Sequence, residues 1–446
     1  MNILLGVHQF FPKYKTGTEV LTLELARGLK ARGHEVNILS GSPETELKRA
    51  EKCWLSQEEY AGFPVYRMYY RVSKIGDYIY HHLSAPDRIV LIKRLIQNLN
   101  PNVIHFNHLM GFSGQVIPEI KKMGIPVFFT PTDFWTMCPA TTLLRPNEGK
   151  VCKNNLDPIN CISCITGVTG LISKIMLKIS LIPMVRRIGK MKSLQALNVR
   201  LGNMVKYLNE ADGIFPATKF LADLLIRSGV DNRRIRIIPY GIDIGPLPEK
   251  KPKKKLFSKK NPLIVGFIGS LSKAKGLHVL IEALSLLGDQ SPWVKLYIYS
   301  KIDNSNRYYR KLQEKAQLVK SKVLFKGTFP HEEIGKILKG LDVLVVPSLW
   351  YESSPLVLLS ALRAGTPVLV SRLEGMTELI EEGKNGFSFE AGDADGLSRI
   401  IKMILEDSNF LLDVERRGAR NERTSSVYAQ EMEQEYFKGL ETYRER

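Results

Sequence analysis

The 446-residue sequence is 44% hydrophobic and 24% charged, the balance of a packed globular protein with two or three domains, which excludes wholesale disorder, a collagen-like fibre and a disulfide scaffold. Lys and Arg outnumber Asp and Glu by 64 to 45, a net charge of +19, which favours anionic partners such as nucleic acid, acidic lipid surfaces or phosphorylated ligands. No apolar run reaches the roughly 18 residues of a membrane span, no cationic stretch precedes the first apolar run, and five cysteines do not resemble a secreted framework, so a soluble protein of the reducing cytoplasm is expected.

The first strand is predicted at residues 3–7 and a helix at 19–31, where Val20, Leu23, Leu25, Ala26 and Leu29 roughly keep helical spacing. Arg32-Gly33-His34 ends that helix, with basic groups at its C-terminus and a glycine free to exit left-handed. Further strands are predicted at 36–40, 103–106, 127–130, 213–216 and 235–239. Pro248-Glu-Lys-Lys-Pro-Lys-Lys-Lys255 has almost no apolar content and reads as a solvated linker. Nothing near it resembles an RNA-binding module, so nucleic acid is not an expected partner. The alternation then restarts, with strands at 263–268, 294–300, 323–325, 343–346 and 367–370 and helices at 276–287, 334–338 and 355–364. A charged helix is predicted at 427–443.

Two runs of alternating strands and helices imply two α/β domains, each with a parallel sheet covered on both faces. Ligands of such sheets bind beyond the carboxyl ends of the strands. The expected division is a first domain over 1–245, a basic linker over 246–261, a second domain over 262–424 and a helix over 425–446 that could pack back on the first domain.

Several stretches resemble one family. Phe11-Pro12-Lys-Tyr-Lys-Thr-Gly17-Thr-Glu19, with Leu25-Ala-Arg-Gly28-Leu29 and Gly33-His-Glu-Val36, resembles the N-terminal region of retaining family 4 glycosyltransferases. Phe267-Ile-Gly269-Ser270…Lys275-Gly276 looks like their phosphate-binding strand and loop. Pro347-Ser348-Leu-Trp350-Tyr-Glu352-Ser-Ser-Pro355-Leu356, Ala364-Gly-Thr-Pro367 and Gly375-Met-Thr-Glu378 look like their donor-binding signature. The matches run in the family's order to about residue 400. The implied fold is GT-B, two Rossmann-like domains with parallel sheets facing a cleft.

The donor implied by the resemblance is a nucleotide-diphosphate sugar, whose departing diphosphate gains negative charge. Without a metal, that charge must meet cations and backbone amides. Lys275 follows the first strand of the second domain and could reach the phosphates; alone it would read as a surface lysine. Ser353-Ser354-Pro355 would open a helix, with serine as cap and proline in the first turn. Its free amides, including that of Leu356, would favour phosphate. By resemblance Glu352 is the first Glu of the family's Glu–seven residues–Glu motif and contacts donor-sugar hydroxyls. The second position, which grips the nucleotide ribose, is Ser360 in this chain. Ser270 stands where the family often has an Arg beside the phosphates, and Thr132-Asp133 where it often has His-Asp. Asp133 could orient an acceptor hydroxyl or cap a helix. Gly17 either lets the first loop approach the diphosphate or is a plain turn glycine. His105 and His108, at the end of a strand, could meet the acceptor or be structural. Asp393-Ala-Asp395 matches a metal-binding Asp-x-Asp pattern but sits where a helix cap is expected; no catalytic metal or cofactor is required.

Cys138, Cys152, Cys161 and Cys164 lie in one insertion, residues 138–164. Four thiolates suit a structural zinc and Cys161-x-x-Cys164 has pair spacing, but the other gaps are irregular, so unligated thiols or an iron–sulfur cluster stay open. Residues 165–208 hold no acidic residue and interleave Lys174, Lys178, Arg186, Arg187, Lys190 and Lys192 with Ile175, Met176, Ile179 and Ile182. Such a segment either meets an anionic membrane surface, as expected for a peripheral protein on the inner face of the cell membrane, or packs on its own domain.

The resemblance implies a retaining transferase that moves a sugar to a hydroxyl of a glycan or lipid-linked glycan in cell-surface polysaccharide assembly. Ser270, Thr132 and Ser360 motivate the alternative of a non-catalytic relative that binds glycans or partner enzymes. A nucleotide-sugar epimerase also fits the fold but has no support from local motifs.

Overall fold

The computed structural model describes residues 1–44, 53–71, 83–145, 150–152, 160–161, 164, 175, 179, 189–248, 256–417 and 423–444. The linker residues 249–255 and most of 165–188 lie outside them. The chain divides into two compact units: Met1–Gly241 with Arg423–Arg446, and Ile242–Glu422.

Unit 1 is built on β1 (Asn2–Val7), β2 (Glu35–Glu44), β3 (Cys53–Tyr60), β4 (Phe63–Arg71), β5 (Val103–Phe106), β6 (Val127–Phe129), the short hairpin β7 (Leu144–Arg145) and β8 (Lys150–Val151), and β9 (Gly213–Ile214). The main sheet has the order β3-β4-β2-β1-β5-β6-β9. All its pairings are parallel except β3 with β4. β1 and β5 are apolar almost throughout and buried on both faces, as central parallel strands must be. Helices α1 (Gly17–Ala31), α2 (Pro86–Leu99), α3 (Val116–Lys121), α4 (Gly189–Leu208) and α5 (Lys219–Arg227) complete the crossovers. Residues 235–239 do not form the predicted strand. Only Ile235 bridges to Ile214; Pro239 and Pro216 lack the N–H a ladder needs, and Ile237 faces solvent.

Unit 2 contains β10 (Leu263–Ile268), α6 (Leu277–Ser285), β11 (Val294–Tyr299), α7 (Arg307–Gln317), β12 (Lys322–Gly327), α8 (Ile334–Lys339), β13 (Val343–Val346), α9 (Leu356–Arg363), β14 (Val368–Ser371), β15 (Gly386–Phe389), α10 (Ala394–Glu406) and α11 (Asn409–Arg417). Its all-parallel sheet runs β12-β11-β10-β13-β14-β15. The chain builds outward from β10 to one edge and then resumes on its other side at β13. That reversal is a topological switch point, where the loops after adjacent strands diverge and leave a crevice. Unit 1 has its own reversal between β1 and β5.

Helix α12 (Ser425–Arg444) follows unit 2 in the chain but belongs to unit 1. Tyr428, Met432 and Tyr436, four apart and all fully buried, form its inner stripe with Ala429. Gly28 of α1 lets the two helices touch: a Cβ there would lie 2.6 Å from the Ala429 side chain. Glu433 pairs with Arg32 and His34 at the end of α1. Tyr436 shares a 2.6 Å hydrogen bond with His105 Nδ1 inside β5. Tyr436→Phe should therefore cost about 1–3 kcal/mol by leaving a buried ring nitrogen unpaired, and Tyr436→Ala about 3–5 kcal/mol by emptying the stripe. Urea unfolding of both variants checks the order.

Candidate functional site

In unit 2 the polar groups collect where β10 and β13 part. Beyond β10 a short turn carries Lys273-Ala-Lys275 into Gly276, whose φ is +69°. A Cβ on Gly276 would lie 1.7 Å from the Pro347 carbonyl oxygen, so glycine lets the Lys275 loop lie against the loop after β13. Leu349 N–H donates to the Ala274 carbonyl across that contact at 2.7 Å. Lys275 thus reaches Glu352: its Nζ donates to Oε1 at 2.6 Å. The same oxygen accepts the Ser348 hydroxyl at 2.8 Å and the Trp350 indole N–H at 2.7 Å. Lys275 Nζ also stands 5.5 Å from the Trp350 ring centroid. Gly375, φ +86°, backs the Glu352 loop, for a Cβ there would lie 2.1 Å from the Glu352 carbonyl oxygen.

Helix α9 begins a few residues later. Pro355 occupies the cap position rather than the first turn, and no side chain caps the helix, so the predicted serine cap is replaced by a bare amide end. The Pro355 carbonyl accepts from Leu358 and Leu359; the amides of Leu356 and Val357 precede those first intrahelical bonds. Ser354 is buried just ahead of them. An uncapped N-terminus offers free amides and the positive end of the helix dipole. Ser270 is exposed beyond β10. The expectation of donor contact does not hold for Ser360: it is fully buried and its hydroxyl donates to the Leu356 carbonyl within α9 at 2.8 Å, the back-bond open to a mid-helix serine. Asp393 caps α10, accepting from Gly396 N–H at 2.9 Å, which accounts for the Asp-x-Asp pattern.

In unit 1 a second cluster forms at the ends of β1, β5 and β6. Met110 N–H donates to His108 Nδ1 at 2.9 Å, so a neutral His108 carries its proton on Nε2, which donates to Asp133 Oδ2 at 3.0 Å. The other Asp133 oxygen accepts from Trp135 N–H at 2.8 Å, so this residue both caps a turn and faces the histidine. Burial acts to raise the Asp133 carboxyl, but the adjacent His108 and the two hydrogen bonds outweigh it and hold it below the usual range. Its side chain remains 36% exposed, whereas His108 is 3% exposed. The His8 ring lies 4.1 Å from that of His108. Burial, then the proximity of His108, holds His8 well below its ordinary value. Its Nε2 is 3.8 Å from Glu19 Oε1; that oxygen and His8 Nδ1 are buried without hydrogen-bond partners. Glu19 Oε2 accepts the Thr16 N–H and hydroxyl at 2.7 and 2.5 Å, opening α1 with the exposed Gly17 at its first position. Thr18 donates to the Thr132 hydroxyl at 3.0 Å.

The acceptor-side expectation does not hold for His105. Both ring nitrogens are engaged, by Tyr436 and by Thr130 at 2.9 Å, and the residue is fully buried. Sequence reasoning assigned no role to His8, Ser348 or Trp350 and read Glu19 only as part of a motif. A histidine ending the first strand was the available signal for His8.

The four cysteines of the insertion are not joined in disulfides and are half-buried. Burial, then the proximity of Cys138, Cys152 and Cys164, pushes the Cys161 thiol up to about 12. Among the described residues no three His, Cys, Asp or Glu side chains are gathered tightly enough to hold a metal ion.

Two Rossmann-type units of this order define a GT-B protein. Among solved structures, sucrose-phosphate synthase from Thermosynechococcus elongatus superposes with a TM-score of 0.66 at 18% identity over 99% of both chains. Anabaena HepE in complex with UDP superposes at 0.62 and 16% identity, over 97% of this chain and 99% of that one. Residues 15–150 match the Glycosyltransferase Family 4 model and residues 248–421 the Glycosyl transferases group 1 model. The chain belongs to these glycosyltransferases. It is 38% identical over 128 residues to the spore coat protein SA of Bacillus subtilis (strain 168), covering 28% of this chain and 34% of that protein. It is 28% identical over 235 residues to the putative colanic acid biosynthesis glycosyltransferase WcaL of Escherichia coli (strain K12), covering 51% of this chain and 56% of the relative. The matched stretches thus span between a third and just over half of these relatives.

His105 sets a pH dependence. Burial lowers it from 6.5 to about 3, so between those values the unfolded chain binds a proton that the folded chain refuses. Stability must fall as pH falls through that window, by up to ~1.4 kcal/mol per pH unit. Urea midpoints at pH 7 and pH 5 should drop further for wild type than for His105→Gln, which keeps polar groups but does not titrate.

Proposed function

We propose that the protein transfers a sugar from a nucleotide-diphosphate sugar to a hydroxyl of a glycan or lipid-linked glycan, with retention of anomeric configuration. The observation that carries this reading is the Lys275–Glu352 pair, buttressed by Ser348 and Trp350 beside the bare amide end of α9. In this reading Lys275 and the amides of Leu356 and Val357 take the diphosphate, and Glu352 receives the sugar hydroxyls. The bond from the anomeric carbon to the diphosphate oxygen breaks with its electrons leaving on the diphosphate. The acceptor oxygen bonds to the same face of that carbon, and its proton passes to the departing phosphate oxygen. No protein nucleophile is needed. Asp133, held ionised and steered by His108, accepts a hydrogen bond from the acceptor hydroxyl and orients it.

The solved HepE structures contain UDP and UDP-glucose, which makes a uridine nucleotide the first candidate, and the similarity to WcaL, named for colanic acid biosynthesis, favours a polysaccharide product. Calorimetry with UDP, GDP and ADP should show one binding. Lys275→Ala should weaken it about tenfold or more, the size of a charge-assisted hydrogen bond. Glu352→Gln should leave nucleotide affinity nearly unchanged and lower turnover about a hundredfold. Binding of none of the three would favour the non-catalytic alternative, which the inward-turned Ser360 supports.

The basic segment supports work at a membrane surface, on the inner face of the cell membrane. Of its apolar residues, Ile175 and Ile179 are 44% and 37% exposed and four apart in helical backbone, the spacing of one helix face. Among the described residues no helix is long and apolar enough to cross a membrane, so contact would be peripheral. Flotation with phosphatidylglycerol vesicles should carry the protein upward at low salt, and phosphatidylcholine vesicles should not. Failure to float with either would remove this part.

A further inference from the structure

His8, His108 and Asp133 stand in a row in unit 1. They follow β1, β5 and β6, which are successive neighbours in the main sheet and run parallel, so their loops leave from the same carboxyl edge. The His108 imidazole is the middle member. Its ring centroid is 4.1 Å from that of His8, and its Nε2 is 3.0 Å from Asp133 Oδ2. Behind His8 stands Glu19, in the first turn of α1 and fully buried. Glu19 Oε2 is satisfied twice by Thr16. Its Oε1 has no hydrogen-bond partner and lies 3.8 Å from His8 Nε2. The capping box at the start of α1 needs only Oε2, and sealing a carboxylate away with its other oxygen unsatisfied is costly. Neither Glu19 nor His8 has a part in what His108 and Asp133 do.

The two edges of the His8 ring differ. Nδ1 is buried without a hydrogen-bond partner, and an orphaned N–H is costlier there than a lone pair. Nε2 faces the Glu19 carboxylate oxygen, which favours a proton on that nitrogen. Burial keeps the ring uncharged. The side chain retains 15% exposure while Nδ1 is sealed, so the open edge of the ring is the one that carries Nε2. His8 thus presents a donor and Asp133, 36% exposed, an acceptor, on either side of the buried His108.

We propose that His8 binds the acceptor sugar beside Asp133: its Nε2–H donates to one sugar oxygen while the Asp133 carboxylate accepts from a second hydroxyl, and Glu19 is the positioning residue that keeps the His8 proton on Nε2. This rests on the reading that Asp133 takes the acceptor hydroxyl. It narrows the acceptor to a neutral sugar with two free hydroxyls toward this edge, since each hydroxyl both gives and takes a hydrogen bond. A phosphorylated group would meet the Glu19 and Asp133 carboxylates and be repelled. An acceptor with a single alcohol would use half of the site.

Imidazole nitrogen NMR of the full chain, with His8 assigned by the signals lost in His8→Gln, should show the tautomer protonated at Nε2, and Glu19→Gln should raise the share protonated at Nδ1. Methyl β-D-glucopyranoside serves as the neutral sugar probe and inorganic phosphate as the anionic one. Binding is followed at His108, which lies between the two groups and remains in every variant. His8→Ala and Asp133→Asn should each weaken sugar binding about tenfold, the loss of one hydrogen bond. His8→Gln, which keeps an N–H donor, should recover part of that loss, and it keeps the test open if His8→Ala does not fold. A His8 protonated at Nδ1 would overturn the inference. So would sugar affinity that falls in Asp133→Asn but not in His8→Ala, an outcome that leaves the Asp133 reading standing. Sugar affinity indifferent to Asp133→Asn, or no response at His108 to the sugar, would remove both. Phosphate moving the same signals more strongly than the sugar would overturn the ligand class.

Discussion

Strands β10 and β13 pair although β11 and β12 come between them in the chain, and that adjacency is forced by building a parallel sheet outward in both directions from one central strand. The loops leaving two such strands must run to opposite faces, so they cannot cover each other, and a polar recess opens between them. Every group that would meet a donor stands on one of those two loops or on the helix that the second feeds. The three donors converging on a single Glu352 oxygen keep this recess organised, since a partly buried carboxylate is costly unless it is hydrogen-bonded. The two glycines behind the loops are the steric condition for that convergence.

Unit 1 repeats the geometry with different chemistry. Its reversal gathers two neighbouring, mutually tilted imidazoles and two carboxylates rather than a lysine and an amide end. The tilted rings lie 4.1 Å apart, and Met110 N–H donates into His108 Nδ1, which turns Nε2 toward Asp133. A half-exposed, ionised carboxylate held by a buried histidine suits a hydroxyl donor. Phosphate would be repelled there. The two recesses therefore differ in chemistry, one offering a lysine and free amides and the other carboxylates and imidazoles.

Much of this was legible in the sequence because periodicity and glycine spacing are local. The central strands, the Lys275 loop and the Glu352 loop are marked by apolar runs bounded by Gly and Pro. What stayed hidden depends on which face a residue turns to. His105 and His108 are three apart at the end of one strand, yet the first is sealed inside by α12, an element more than three hundred residues distant in the chain. Ser360 looks like a shortened ligand but sits on the inner side of α9. Strands β3 and β4 escaped prediction because Gln57, Glu58 and Glu59 interrupt the apolar pattern and Arg67 is buried in β4, where it donates to the Phe11 carbonyl.

The placement of α12 bears on synthesis. Domains tend to fold as they emerge from the ribosome, first-made first. Here the first unit lacks the stripe of Tyr428, Met432 and Tyr436 until all of the second has been translated. The second unit has every strand it needs by residue 389, so the part begun last can be finished first. During that interval Phe128, His105 and the α1 face around Gly28 have no cover, and a nascent chain would present them to whatever chaperone or neighbouring chain is near.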